Sequence, residues 1–341
     1  MIYIVSKGNY VSGGPETLHQ AANLFASMGQ RVGMYYVQPH TNEIPERFKD
    51  YNIKVVNRIV DSEENILIVP ETQTYVLAKY KKIKKCIWWL SLENYLNTEP
   101  LFLVKWRMKV NHWPSIMFPI ALLGMIAKGK IHLYRYHFED GGEFYHTYNC
   151  EYVHQYIVNH GVPEDRTLYL CGPLNQSFFE SAKKLYGQRR DNIILYNPKK
   201  GKEFTQKLIA AARVQGINAD FHPIQSMTPN QIVKLMSHSK IYMDFGNFPG
   251  PERIPREAVT MGCNIITSKN GAAANEIDVP ISNDVKFDIK DENIPVIINK
   301  IRDMLENYER YYPYYNEYRD KVVDQIRLLN ENATLFLERL K

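Results

Sequence analysis

The chain has 341 residues, 45% of them apolar and 23% charged, with a formal net charge of +5. That composition supplies a core for about two domains at ~150 residues each and excludes an intrinsically disordered chain. The mild positive balance does not by itself imply nucleic acid. Cys86, Cys150, Cys171 and Cys263 form no C-x-x-C pair, which argues against a zinc site or a disulfide scaffold and fits a reduced, cytosolic compartment.

Met1–Val5 reads as a buried first strand running straight into a loop, so no signal peptide is expected. The loop Ser6–Gly14 ends in Gly13-Gly14. Pro15–Gly29 follows as an amphipathic helix with Leu18, Ala21, Ala22, Phe25 and Met28 on one face. Arg31–Val37 is the second strand and completes a βαβ opening. Further strands are expected at Ile66–Val69, Cys86–Leu90 and His132–Tyr136, with helices between them. Asn149–His160 reads as a helix stopped by Gly161-Val162-Pro163, and Thr167–Cys171 as a strand. A linker begins at Gly172-Pro173, so the domain boundary is expected near 172–190.

Charge is concentrated in residues 79–113. Lys79, Lys81, Lys82, Lys84, Lys85, Lys105, Arg107 and Lys109 stand there against Glu93 and Glu99, and all four tryptophans (Trp88, Trp89, Trp106, Trp113) lie in the same segment. The apolar window Pro114–Ala127 follows and is too short to span a bilayer. Cations interleaved with tryptophan beside a short apolar segment suit an anionic membrane surface. The plainer reading is a solvated helix face with core tryptophans. No nucleic-acid motif accompanies the charge.

The second half alternates strand and helix: Asn192–Tyr196, Glu203–Val214, Asn218–His222 and Pro229–His238 in turn, which argues for a second parallel sheet. Lys240–Phe245 then reads as a strand. Gly246–Pro251 (GNFPGP) breaks it, Glu252–Met261 is a short helix with Pro255 in its first turn, and Gly262 caps that helix before the strand Cys263–Thr267. A strand, a glycine loop and a helix N-terminus together make an anion site, because unpaired N–H groups and the positive end of the helix dipole point out of the loop. Arg253 and Arg256 add charge there. The tail holds a helix over Ile294–Leu305 and a tyrosine-dense stretch (Tyr308, Tyr311, Tyr312, Tyr314, Tyr315, Tyr318) expected to pack between domains. A last helix from Lys321 carries one apolar stripe.

Glu257-Ala258-Val259-Thr260-Met261-Gly262-Cys263 resembles the donor-sugar site of the retaining GT-B glycosyltransferases of the group 1 or family 4 class. GGPETLHQAANLFASMGQRV, from Gly13, resembles their opening glycine loop and helix. Asn197–Gly201 (NPKKG) resembles the loop that carries a lysine to the donor diphosphate. Three positions depart from that family. Pro249 stands where an earlier glutamate is usual, leaving Glu252 as the nearest carboxylate. Asn197 stands near the place of a usual arginine. No histidine follows the strand Cys86–Leu90; Ser91, Glu93 and Asn94 come after it instead.

The resemblance implies an α/β protein of GT-B type, with two Rossmann-like domains whose parallel sheets face an inter-domain cleft. Residues 1–172 would form the acceptor domain, 190–320 the nucleotide-sugar donor domain, and 321–341 a helix crossing back to the first. It implies donor contacts from Gly13, Gly14, Asn197, Lys199, Lys200, Gly250, Pro251, Arg253, Ile254, Arg256 and Glu257. Glu257 would meet the ribose, and Glu252, Lys200 and Arg253 would serve catalysis. Acceptor candidates are Ser91, Glu93, Asn94 and His137, the last followed by Gly141-Gly142. No two aspartates are spaced as Asp-x-Asp, so a metal-independent reaction with no cofactor is expected, its diphosphate met by the helix N-terminus and cations. The expected activity is sugar transfer from a nucleotide-diphosphate donor to a glycan or lipid-linked acceptor in bacterial surface polysaccharide synthesis. It would be cytoplasmic or peripheral on the inner membrane face. A nucleotide-sugar-binding scaffold without transfer and a GT-B epimerase or phosphorylase remain the alternatives.

Overall fold

A computed structural model describes all residues except 133, 141–143, 186 and 341. The chain divides into two compact units, one of Met1–Asn149, Val153–Gly172 and Leu328–Lys341, the other of Cys150–Tyr152 and Pro173–Arg327.

The first unit is built on a parallel sheet of six strands: β1 (Ile2–Lys7), β2 (Val32–Val37), β3 (Ile66–Pro70), β4 (Lys84–Trp89), β5 (Phe144–Tyr148) and β6 (Thr167–Tyr169). Their order is β2-β1-β3-β4-β5-β6. Helix α1 (Gly13–Ser27) follows β1, while α2 (Leu92–Leu96), α3 (Pro100–Val110) and α4 (Phe118–Ala127) follow β4, and α5 (Glu151–Asn159) follows β5. Side chains two apart share a sheet face. Thus Ile2 and Ile4, Ile66 and Ile68, and Cys86 and Trp88 lie together in one core with Leu18, Ala22 and Phe25 of α1. The chain's last helix closes that core with Leu329, Ala333, Phe336 and Leu340. Each fully buried side chain of this size contributes about 1.5–3 kcal/mol.

The second unit begins with α6 (Gln176–Lys184) and alternates β7 (Asp191–Tyr196), α7 (Lys202–Val214), β8 (Asp220–Pro223), α8 (Pro229–His238), β9 (Ser239–Asp244), α9 (Arg253–Thr260), β10 (Asn264–Ser268) and β11 (Lys286–Phe287). The tail forms α10 (Ile294–Glu306), α11 (Tyr308–Tyr311) and α12 (Asn316–Leu340). The parallel strands stand in the order β11-β10-β9-β7-β8.

Several expectations are corrected. His132–Tyr136 is not a strand among its described residues; the fifth strand is Phe144–Tyr148. The backbone of Tyr136 is satisfied by side chains, its N–H donating to Thr74 Oγ1 at 3.1 Å and its carbonyl accepting from the Tyr95 hydroxyl at 2.8 Å. No sheet ladder is needed there. The last helix starts at Asn316, five residues before the expected Lys321. Tyr308 and Tyr315 donate to the carbonyls of Gly262 and Ile265, so these tyrosines serve the interior of the second unit. The Gly141-Gly142 pair beside His137 lies outside the described residues. No helix among the described residues is long and apolar enough to cross a membrane.

Candidate active site

In an open parallel sheet, ligands bind outside the carboxyl ends of two neighbouring strands whose connections leave in opposite directions. In the second unit that point lies between β7 and β9, because the chain passes from β7 to β8 on one side and returns to β9 on the other. The two loops leaving those ends are the lysine loop 197–201 and the glycine loop 245–252.

Local chemistry shapes both loops. Asn197 Oδ1 accepts the N–H of Lys199 at 3.0 Å, an Asx turn that bends the chain after β7. Gly201 has φ +56°, and a Cβ there would lie 2.3 Å from the Phe245 carbonyl oxygen. Glycine is what lets the loops touch. At the end of β9, Asp244 Oδ1 accepts the N–H of Gly246 at 2.9 Å and Oδ2 accepts the Tyr242 hydroxyl at 2.7 Å.

Lys200 joins the loops. Its ammonium lies 2.6 Å from Glu252 Oε2 and donates to the Asn247 carbonyl at 3.3 Å. Burial raises the carboxyl pKa of Glu252, and the Lys200 charge partly offsets the rise. Burial likewise raises Asp244, against the hydrogen bonds from Tyr242 and Gly246 and the charge of Lys200. Glu252 is the N-cap residue of α9 but makes no side-chain cap. Its carboxylate goes to Lys200, leaving the first turn of α9 without a side-chain acceptor from that position.

The remaining donor-side residues divide. Gly250 is buried, while Pro251, Arg253 and Ile254 are partly exposed along the same loop and first turn. Arg253 Nε meets Glu257 Oε1 at 2.5 Å, one helical turn on, so the buried Glu257 carboxylate is held in place from its own helix. Arg256 turns elsewhere: its guanidinium donates to Gln325 Oε1 of α12 at 2.7 Å and to the Glu252 carbonyl at 3.3 Å. It ties α9 to α12. Lys199 is exposed on the lysine loop.

In the first unit the corresponding point lies between β1 and β3. Gly13 and Gly14 form the first turn of α1 after β1, and Gly14 approaches Leu90 at the end of β4. Ser91 is the N-cap of α2, its Oγ accepting the N–H of Asn94 at 3.2 Å. Glu93 and Asn94 sit on that same short helix, whereas His137 is exposed on the segment before β5.

Sequence reasoning passed over two acids at these carboxyl ends. Asp244 ends β9, where an acid before Phe-Gly was a readable turn signal. Glu71 follows directly after β3 and is 2% exposed, and its Oε2 accepts the Leu90 N–H at 2.9 Å. Burial pushes its pKa up to about 7, against that hydrogen bond and the Lys7 charge. Asn149 Nδ2 donates to the Leu90 carbonyl at 2.8 Å, so Leu90, the residue before Ser91 and α2, is held through both its N–H and its carbonyl.

No protein-family model and no curated protein matches the chain. Solved structures do. A glycosyltransferase from Rickettsia africae superposes with TM-score 0.62 at 15% identity, covering 100% of this chain and 98% of the other. HepE of Anabaena, solved in complex with UDP-glucose, superposes with TM-score 0.59 at 10% identity over 99% of both chains. Sucrose-phosphate synthase from Thermosynechococcus elongatus does so with TM-score 0.59 at 11% identity, covering 99% and 98%. The fold is that of the GT-B glycosyltransferases.

Proposed function

We propose that this protein is a glycosyltransferase that moves a sugar from a nucleotide-diphosphate donor, of the UDP-sugar kind bound by HepE, to a glycan or lipid-linked acceptor. The observation that carries the reading is Lys200. Its ammonium stands at the strand-reversal point of the second unit, against Glu252 and beside the first turn of α9.

In such a transfer the bond between the anomeric carbon and the diphosphate oxygen breaks and the diphosphate leaves with the electron pair, while an acceptor hydroxyl oxygen bonds to the anomeric carbon and its proton passes to the departing phosphate oxygen. Charge therefore grows on the leaving group, and preorganised donors aimed at it lower the barrier. Lys200 and the amides of the 246–253 stretch are the groups for that task, with Arg253 alongside. Bound diphosphate competes with Glu252 for the Lys200 ammonium. Glu257, steadied by Arg253, is the acceptor for the ribose hydroxyls. On this reading 190–320 is the donor domain and 1–172 the acceptor domain. Ser91, Glu93 and Asn94 would face the acceptor. The retaining outcome, the cytoplasmic setting and the role in surface polysaccharide synthesis belong to the same proposal.

A thermal-shift screen of nucleotide sugars tests it, since a ligand that binds only the folded state raises the melting temperature by mass action. The expected result is stabilisation by one nucleotide sugar, lost in Lys200→Ala. No stabilisation by any nucleotide or nucleotide sugar would refute the reading. Binding without hydrolysis or transfer would favour a scaffold instead.

A further inference from the structure

Helices α3 and α4 form a hairpin beyond the carboxyl end of β4, with a small core of their own built from Val104, Met108, Ala121 and Met125. A helix needs one apolar stripe to bury against a neighbour. These two carry a second stripe each. On α3, Phe102, Trp106 and Val110 follow one another at four-residue spacing, opposite Val104 and Met108, and are 48%, 52% and 55% exposed. On the other arm Ile116, Ile120 and Leu123 are 86%, 66% and 67% exposed. The outward face of the hairpin is therefore apolar over both arms, far more than scattered surface hydrophobics account for.

The charges on this hairpin all have one sign. Between Pro100 and Lys130 the chain holds Lys105, Arg107, Lys109, Lys128 and Lys130 and no acidic residue. Lys105 and Lys109 form the row next to Phe102, Trp106 and Val110, and they are exposed, as are Lys128 and Lys130 at the far end of α4. Lys81, Lys82, Lys84 and Lys85, which the sequence grouped with this patch, belong elsewhere. They lie at the amino end of β4, about 17 Å along the strand from its carboxyl end at ~3.3 Å per residue. There the N–H groups of Lys81 and Lys82 donate to Asp61, and Lys84 Nζ donates to the Leu340 carbonyl. Trp88 and Trp89 are fully buried, which leaves Trp106 and Trp113 as the exposed pair.

We propose that the outward face of the α3–α4 hairpin docks on an anionic lipid surface, with its apolar stripes in the interface and its lysines at the headgroups. An apolar face of this size would also suit a second copy of the chain. The exposed Lys105, Lys109, Lys128 and Lys130, in a segment with no acidic residue, would then meet the same lysines across a two-fold axis, and like charges so placed oppose association. An anionic bilayer answers both features at once. The inference stands apart from the transfer reading, because binding to vesicles is read without donor or acceptor.

Two measurements test it on the full chain. The first uses the wild type alone: brominated phosphatidylglycerol vesicles should quench tryptophan fluorescence, since only Trp106 and Trp113 can reach lipid. The second is sedimentation with phosphatidylcholine vesicles, with and without phosphatidylglycerol. Wild type should partition only onto the anionic vesicles and release at high salt. Lys105→Glu with Lys109→Glu should weaken partitioning by roughly a hundredfold or more, at about fivefold per unit of charge. Ile116→Ser, Ile120→Ser and Leu123→Ser together should weaken it at every salt concentration, and their exposure keeps the fold intact. Lys81→Glu with Lys82→Glu should change little. Absent quenching, equal loss in the Lys81 and Lys82 variant, or a concentration-dependent dimer dissolved by the serine variant would each overturn the proposal.

Discussion

Replacing Lys200 by alanine perturbs two things that can be measured separately. The first is stability. The Lys200 and Glu252 side chains are 30% and 20% exposed, so the pair sits between a surface ion pair worth 0–1 kcal/mol and a buried one whose disruption costs 3–5. A loss of about 1–2 kcal/mol follows, or about 2–8 °C in melting temperature for a unit of this size. The loss must depend on pH in a definite direction. Burial already raises the Glu252 pKa and Lys200 restrains the rise, so removing Lys200 raises it further. A carboxyl whose folded pKa exceeds its ordinary value of 4.5 destabilises only above that value. The deficit should vanish in acid and grow as pH rises. Adding Glu252→Gln should recover most of it, which a double-mutant cycle by urea denaturation reads directly. The second effect is on the reaction. A charge-assisted contact is worth about 1.5–3 kcal/mol, so donor binding should weaken about ten- to a hundredfold. Turnover should fall further, because the leaving diphosphate gains charge as the bond breaks. A stability deficit rescued by Glu252→Gln, with donor affinity and turnover unchanged, would show the pair to be structural and sink the site.

Glu71→Gln keeps an acceptor for the Leu90 N–H but removes a carboxyl whose pKa burial pushes up from 4.5 to about 7. Its contribution in the wild type is present below 4.5 and lost as pH rises through 7, so the variant should flatten a slope of up to about 3 kcal/mol across that window in chemical denaturation. Gly201→Ala forces a side chain into a left-handed backbone position and onto the Phe245 carbonyl; a loss of at least about 1–2 kcal/mol is expected, with donor binding lost in calorimetry as the loops separate. Glu257→Gln leaves the helix; if Glu257 holds the ribose as proposed, calorimetry should show donor affinity falling about ten- to a hundredfold, and wild-type affinity would refute that role.

Much of the second unit was legible because chemical signals follow β7, β9 and α9. Asn197, Gly201, Gly246 and Gly262 punctuate the alternation, and the lysine and glycine loops could be paired once two neighbouring strands were known to be parallel. Sequence alone gave no means of deciding which cations share a surface with which carboxylates. Arg253 and Arg256 are three apart on one short helix, and both looked equally suited to an anion. The fold separates them: Arg253 stays with Glu257, whereas Arg256 reaches a glutamine sixty-nine residues later in the chain. The same limit hid Glu71. Nothing local marks it, since its partner amide lies just past the end of β4 and its perturbation comes from burial that only the packed sheet creates.

The first unit was harder to read where tertiary contacts replaced secondary structure. Tyr134–Tyr136 has strand-forming residues, yet the backbone of Tyr136 is served by Thr74 and Tyr95, and the true strand begins eight residues later. The basic segment divides for a related reason. Along the chain Lys81–Lys85 and Lys105–Lys109 form one run of charge with tryptophans between. In the fold a six-residue strand separates them, because Lys84–Trp89 crosses the sheet from its amino edge to its carboxyl edge. The charge that matters for a surface is the charge left at one edge. At the carboxyl edge that is the hairpin, which adjoins Ser91, Glu93 and Asn94 through α2. A surface docked there would bring a lipid-linked acceptor to the end of β4 rather than to the opposite side of the sheet. If the proposed sites are right, vesicle binding and acceptor use should therefore fail together in the hairpin variants, while donor binding, assigned by the proposal to Lys200 in the other unit, should stay intact.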